Sequence, residues 1–224
     1  MAEGLEAELR ARFDVREERF DHGGLGADVL MPTRPDLLID QAEFDRDERL
    51  PYWAELWPAA RGLARHLLDN PPPERRALEL GCGVALPSLA LKYLGLDVTA
   101  SDYYEDALAF ARANAQRNGL GALATLNLDW REPPEGAWPL VVAADVLYEM
   151  RNSEALAALL PRIVAPGGRA LVADPGRMYE WDFRDLLKKR GWHAEQIDLR
   201  REINDPVKQV ASTITIFEVR RVSA

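Results

Sequence analysis

The chain has 224 residues, 47% of them hydrophobic, and 37 acidic against 28 basic residues give a formal net charge of −9. That length and apolar share suit one globular unit with a large core and room for an extension. The acidic balance argues against a nucleic-acid partner, whose binding rests on phosphate neutralisation, and no apolar run approaches the roughly 18 residues of a membrane span. Cys82 is the only cysteine, so no intrachain disulfide forms, and the acidic start Met1–Glu6 lacks the order of a secretory leader. These features predict a soluble, cytoplasmic protein.

In chain order, the four-residue spacing of Leu5, Leu9 and Phe13 predicts a helix over 3–20, broken by Gly23, Gly24 and Gly26. Two apolar runs, 27–31 and 37–40, flank Pro32 and Pro35 and read as a small hairpin. Residues 43–57 are mixed and carry the aromatic anchors Tyr52, Trp53 and Trp57. A helix over 59–68 closes at Asn70-Pro71-Pro72-Pro73. From Arg76 strands and helices alternate. Strand 77–80 precedes helix 87–94, and strand 98–101 precedes helix 104–118, which ends at Asn118-Gly119. Strand 123–128 and the wholly apolar strand 140–144 follow. Ser153 is read as the cap of a helix running to Ile163, and Pro166-Gly167-Gly168 as a turn. Strand 169–173, helix 181–189, strand 192–199 and an alternating strand 213–219 near a sheet edge complete the chain. The pattern predicts an α/β, Rossmann-like, doubly wound sheet of seven strands, mostly parallel with one antiparallel member. Residues 1–50 form an N-terminal extension of helix and hairpin in this reading, and 51–224 the main domain.

The segment Ala77–Pro87 carries the strongest signal. It reads as strand, glycine turn and helix start. Gly81 and Gly83 remove Cβ atoms where a ligand must approach the backbone, and the N-terminus of the next helix points free N–H groups at the same spot. A pyrophosphate fingerprint would be G-x-G-x-x-G, but the third position is Leu86. An adenosine site without pyrophosphate, next to the acidic Glu79, suits S-adenosylmethionine better than a dinucleotide.

Three further segments end strands on the ligand side of such a sheet. Asp102 can accept both ribose hydroxyls, or simply cap the next helix. Asp129-Trp130 can take an adenine amino group and flank its ring, or form an ordinary turn with a packed aromatic. Asp145-Val146-Leu147-Tyr148 lies opposite the glycine turn, where an acid and a phenol can hold a cationic or polar nucleophile; the plainer reading is a loop acid and a packed tyrosine. Asp174-Pro175-Gly176-Arg177 ends the fifth strand on the same face; it can line the acceptor site, but its turn chemistry alone explains it. His22, His66 and His193 lack metal spacing, and there is neither a nucleophile elbow nor a phosphate P-loop.

Together these residues resemble the class I, seven-β-strand methyltransferases, and more narrowly methyltransferase family 16, which holds many protein-lysine methyltransferases and bacterial nicotinamide-methylase-like relatives. The resemblance spans roughly residues 51–220 and rests on Glu-Leu-Trp-Pro-Ala-Ala (55–60), Leu-Glu-Leu-Gly-Cys-Gly (78–83), Thr-Ala-Ser-Asp (99–102), Leu-Asp-Trp (128–130) and Ala-Ala-Asp-Val-Leu-Tyr (143–148). It implies that Trp57, Gly81, Gly83, Asp102, Trp130 and Ala144 contact S-adenosylmethionine. Glu79, Tyr103 and Asp129 complete the candidate cofactor set, with S-adenosylhomocysteine as product, and Asp145 and Tyr148 face the acceptor. Enzymes that methylate nucleobase or glutamine nitrogens carry two prolines where this chain has Val146-Leu147, which argues against a flipped base or a planar amide.

The resemblance implies an N-methyltransferase acting on a protein, lysine first, with a small-molecule acceptor or a silent binding module as alternatives. A lysine must lose its proton before it attacks, which at neutral pH costs on the order of 4–5 kcal/mol. An apolar, aromatic-walled pocket lowers that cost, whereas an ionised Asp145 raises it. Asp145 is therefore expected to position the amine first and accept a proton second.

Overall fold

The computed structural model describes residues 2–39, 47, 48, 50–205 and 210–222. Its centre is a seven-stranded sheet built from β3 (Arg76–Leu80), β4 (Asp97–Asp102), β5 (Ala124–Asn127), β6 (Trp138–Ala144), β7 (Val164–Asp174), β8 (Trp192–Asp205) and β9 (Val210–Arg221). The order is β5-β4-β3-β6-β7-β9-β8. Only β9 runs antiparallel to its neighbours β7 and β8. The chain fills the sheet outward from β3 in one direction and then from β6 in the other, so a topological switch point lies between β3 and β6. Ligands of open α/β sheets bind outside the carboxyl ends of the strands at such a point.

Side chains of each central strand alternate between two apolar layers, as a sheet covered on both faces requires. Ala77, Val142 and Ile216 pack with Leu63 and Leu67 of α2 (Pro58–Asp69) and Leu89 of α3 (Leu86–Tyr93). Leu78, Val141 and Phe217 pack with Leu156 and Leu160 of α5 (Met150–Ile163) and Phe183 of α6 (Glu180–Lys189). A further cluster joins Leu9 of α1 (Ala2–Arg12), Leu30 and Trp53 to Phe110 of α4 (Glu105–Arg117). Asn114, fully buried on α4, fastens this outer layer to the centre. Its side-chain oxygen accepts from Leu30 N–H at 2.7 Å, and its amide donates to the carbonyls of Leu30 and Val84 at 3.0 and 3.1 Å.

The seven-stranded sheet and its alternating helices agree with the pattern in the sequence, but the N-terminal expectations need correction. The helix stops at Arg12, and residues 15–22 form β1, paired with β2 (Leu25–Pro32) from Val15↔Pro32 to His22↔Leu25. Gly23 and Gly24 both have positive φ, the backbone of a two-residue hairpin turn, so the glycines mark the hairpin itself. Residues 35–38 are a 3-10 turn with no buried residue, not a second strand, and Asp40 lies outside the described residues. Burial of Ala27, Val29 and Met31 of β2 against the core overrides the weak helical spacing of β1.

Three smaller corrections follow. Ser153 does not cap α5; the helix begins at Met150, and the buried hydroxyl donates to the Tyr179 carbonyl at 3.1 Å. Pro166-Gly167-Gly168 lies within β7, where the register jumps from Trp138↔Val164 to Leu140↔Arg169. A Cβ on Gly168 would stand 2.7 Å from the Pro139 carbonyl oxygen, so this bulge requires glycine. The strand expected over 192–199 continues to Asp205 and takes the sheet edge, with β9 one position in.

Candidate functional site

One cavity at the switch point gathers Trp57, Glu79, Gly81, Gly83, Asp102, Tyr103, Asp129, Trp130, Ala144, Asp145 and Tyr148. The sequence scatters these residues over some ninety positions, and the parallel strands bring them together because β3, β4 and β6 all end on one side.

The turn after β3 is held in a shape that side chains disfavour. Gly81 and Gly83 have φ of +63° and +50°. A Cβ on Gly83 would stand 3.0 Å from the Trp53 carbonyl oxygen, and one on Gly81 3.2 Å from Val146 Cγ1 and 3.3 Å from Trp130 Cζ2. Ala85, where α3 begins, also has a left-handed φ of +68°. Carboxylates fix this turn from two sides. Asp102, at the end of β4, accepts from Gly83 N–H at 2.9 Å and Tyr104 N–H at 3.1 Å. It thus ties the glycine turn to the start of α4 while bordering the cavity. Glu79 lies beneath the turn and accepts from Ser88 N–H at 2.9 Å and from the Ser88 hydroxyl. Burial pushes its carboxyl up to about 8, against the pull of those two donors. The Cys82 thiol is buried in the turn and likewise raised, so it remains an unreactive thiol.

Asp129 and Trp130 follow β5. Asp129 receives the guanidinium of Arg131, with closest approach 2.6 Å, and the Arg131 N–H at 2.9 Å. The Trp130 ring stands against the glycine turn, as its distance from Gly81 shows. Across the cavity, Trp57 precedes α2, with Pro58 as the first helical residue, and its indole N–H donates to the Tyr52 carbonyl at 2.7 Å. The rings of Tyr52 and Tyr148 pack edge to face, 4.8 Å between centres.

Asp145 follows β6 with a left-handed φ of +59°, rare for a residue with a side chain. Its N–H donates to the Ala173 carbonyl at 3.0 Å, which anchors the turn to β7. Its side chain is almost wholly buried. Oδ1 accepts the fork of Arg177 at 2.9 Å (Nε) and 2.6 Å (Nη2), and Oδ2 accepts the Ala59 N–H at 3.3 Å. The Arg177 guanidinium carbon lies 5.5 Å from the Trp57 ring centre and 6.0 Å from that of Tyr148. The Asp174 Oδ1 accepts Gly176 N–H at 2.8 Å and Arg177 N–H at 2.6 Å, and its burial raises the carboxyl to about 6.

The sequence sets Arg177 on the ligand face in a turn that can line the acceptor site, but does not show its pairing with Asp145. Asp-Pro-Gly-Arg is a sufficient turn signal by itself, and only the adjacency of β6 and β7 brings the arginine onto Asp145. Ser88 and Asn114 escaped notice; the one available sign for Asn114 is a polar residue on the apolar face of an alanine-rich helix.

The donor set fits an S-adenosylmethionine. The turn leaves no room for side chains where a ligand lies against backbone, Asp102 and Asp129 offer carboxylates along the cavity, and aromatic rings flank it on both sides. A family model described as a methyltransferase domain matches residues 52–212. The electron transfer flavoprotein beta subunit lysine methyltransferase of Danio rerio is 31% identical over 147 residues, 64% of this chain and 56% of that protein. This chain therefore spans little more than half the length of that relative. The human histone-arginine methyltransferase METTL23 is 26% identical over 175 residues, 72% of this chain and 90% of that protein. The crystal structure of a magnesium protoporphyrin IX methyltransferase from Synechocystis, with its S-adenosylmethionine bound, superposes with a TM-score of 0.55 at 20% identity, covering 82% of this chain and 94% of that one. The family match, the strand order and the glycine turn at the switch point place this chain in the methyltransferase-domain family, as a class I, S-adenosylmethionine-dependent member.

Proposed function

We propose that the chain methylates an amine nitrogen on a protein side chain, lysine first. The observation that carries this reading is the rim of the acceptor side. Tyr52 lines the cavity and is partly exposed, and the exposed Met150 adjoins the lining residue Arg151. Exposed apolar side chains around a mouth suit a protein surface better than a small free acceptor. That two relatives are named for lysine and arginine methylation of proteins supports the same direction.

In this proposal Trp57, Gly81, Gly83, Asp102, Tyr103, Asp129, Trp130 and Ala144 hold the cofactor. Asp102 and Asp129 carry its polar contacts, and Glu79 supports the turn from beneath. The bound cofactor supplies an electrophilic methyl group. The protein positions and desolvates: the aromatic walls exclude water, Asp145 orients the incoming nitrogen, and Tyr148 walls its path. One N–C bond forms as one S–C bond breaks, and the nitrogen's proton passes to solvent. We assign residues 51–224 to the catalytic domain and 1–50 to an extension that helps shape the acceptor side. No helix among the described residues is long and apolar enough to cross a membrane. The buried, unpaired cysteine supports the proposal of a reducing compartment, the cytoplasm.

The test is transfer of radiolabelled methyl groups from S-adenosylmethionine to a lysate of the source organism, with Asp145→Asn as control. A discrete labelled protein band that vanishes with the variant is expected. Label confined to the small-molecule fraction would replace the protein acceptor with a small amine. Cofactor binding without any label would make the chain a binding module.

A further inference from the structure

Holding a cofactor does not account for the arginine on Asp145. A carboxylate alone at the acceptor side would favour a protonated amine, since an opposite charge within about 4–6 Å stabilises the charged form by 1–3 pH units. A protonated amine has no lone pair to donate. Arg177 brings a positive guanidinium onto Oδ1 through two nitrogens, and is held by two neighbouring aromatic faces and by the Asp174 turn beneath. The arginines that line the cavity are paired locally. Arg131 pairs with Asp129, and Arg151 with Glu149 and Asp47. Asp102 is bound to backbone N–H groups, and Glu55 adds one further carboxylate to the lining.

We propose that Arg177 determines specificity by balancing the charge of Asp145, so that the acceptor site takes an amine in its uncharged, nucleophilic form and disfavours a permanent cation. The proposal rests on the reading of the chain as an amine methyltransferase. It removes the conflict between an acid that orients the nitrogen and the need for that nitrogen to be unprotonated.

The test needs no knowledge of the acceptor. Sinefungin resembles S-adenosylmethionine but carries a protonated amine in place of the sulfonium methyl, whereas S-adenosylhomocysteine carries nothing there. Calorimetry gives the affinity ratio of the two. The wild-type protein is expected to bind them within about threefold, and Arg177→Gln to prefer sinefungin about tenfold or more, the least that one uncompensated carboxylate produces. Arg177→Lys keeps the charge and restores the wild-type ratio, which a merely structural role would not do. Asp145→Asn, tested in case Arg177→Gln fails to fold, shifts the ratio about tenfold against sinefungin. A ratio unchanged in Arg177→Gln, or in Asp145→Asn where only that variant folds, overturns the proposal. Wild-type protein that binds neither ligand instead overturns the cofactor reading, and the proposal falls with it.

Discussion

The two walls of the cavity hold their carboxylates by different means. On the β3–β4 side, Asp102 accepts from the backbone N–H groups of Gly83 and Tyr104, and Glu79 from the N–H and the hydroxyl of Ser88 at the start of α3. On the β6–β7 side, Asp145 is satisfied chiefly by a side chain, the guanidinium of Arg177, inside a frame of aromatic rings. Backbone donors come with the fold and vary little with composition. A side-chain counter-ion can be exchanged without disturbing the strands. Under the proposed assignment of cofactor to the first wall and acceptor to the second, the cofactor side is the constant one and the acceptor side the adjustable one.

Four substitutions sharpen that contrast. Asp145→Asn is expected to lower methyl transfer by about 10²–10³-fold while S-adenosylhomocysteine binds within about threefold, the magnitude usual for a group acting at the reacting nitrogen. Comparable losses of transfer and of S-adenosylhomocysteine affinity would show that the walls do not work separately. Gly83→Ala should do the reverse and strike the cofactor. A Cβ 3.0 Å from a backbone oxygen, at φ of +50°, forces the turn to shift, and we expect about 100-fold weaker S-adenosylhomocysteine binding in calorimetry.

Asn114→Ala removes three buried hydrogen bonds, two to the backbone of Leu30 in the outer layer and one to the carbonyl of Val84 in the turn. It should cost about 2–3 kcal/mol in denaturant unfolding, with any change in cofactor binding following from stability.

Glu79→Gln gives the smallest effect, and its sign is defined. Burial raises this carboxyl from 4.5 to about 8, so the folded state retains a proton that the unfolded chain releases. The stabilisation is complete below the unfolded value and is lost as pH rises through about 8. The wild-type melting temperature should therefore decline between pH 5 and about 9 more steeply than that of Glu79→Gln. Parallel melting curves for the two proteins would show that Glu79 is ionised in the fold.

The hairpin shows why part of the fold was hidden. Residues 15–22 place charges at most positions, and only their pairing with the buried β2 makes them a strand, so neither helical spacing nor strand alternation was strong there. The central sheet was legible because its strands are apolar on both faces and separated by glycine, proline and asparagine turns at regular intervals.

By itself, the sequence determined the alternating αβ architecture, the glycine turn and the set of acids that end the strands, because each depends on residues close in the chain: two glycines that permit positive φ, or a carboxylate placed just after a strand. The tertiary structure alone decided what those acids touch. Asp145 meets Arg177, thirty-two residues away, because β6 and β7 are neighbours. Asn114 meets Leu30 because the hairpin folds over α4. Side-chain pairs across adjacent elements have no local signature, since pairing distance in the sheet is unrelated to distance along the chain.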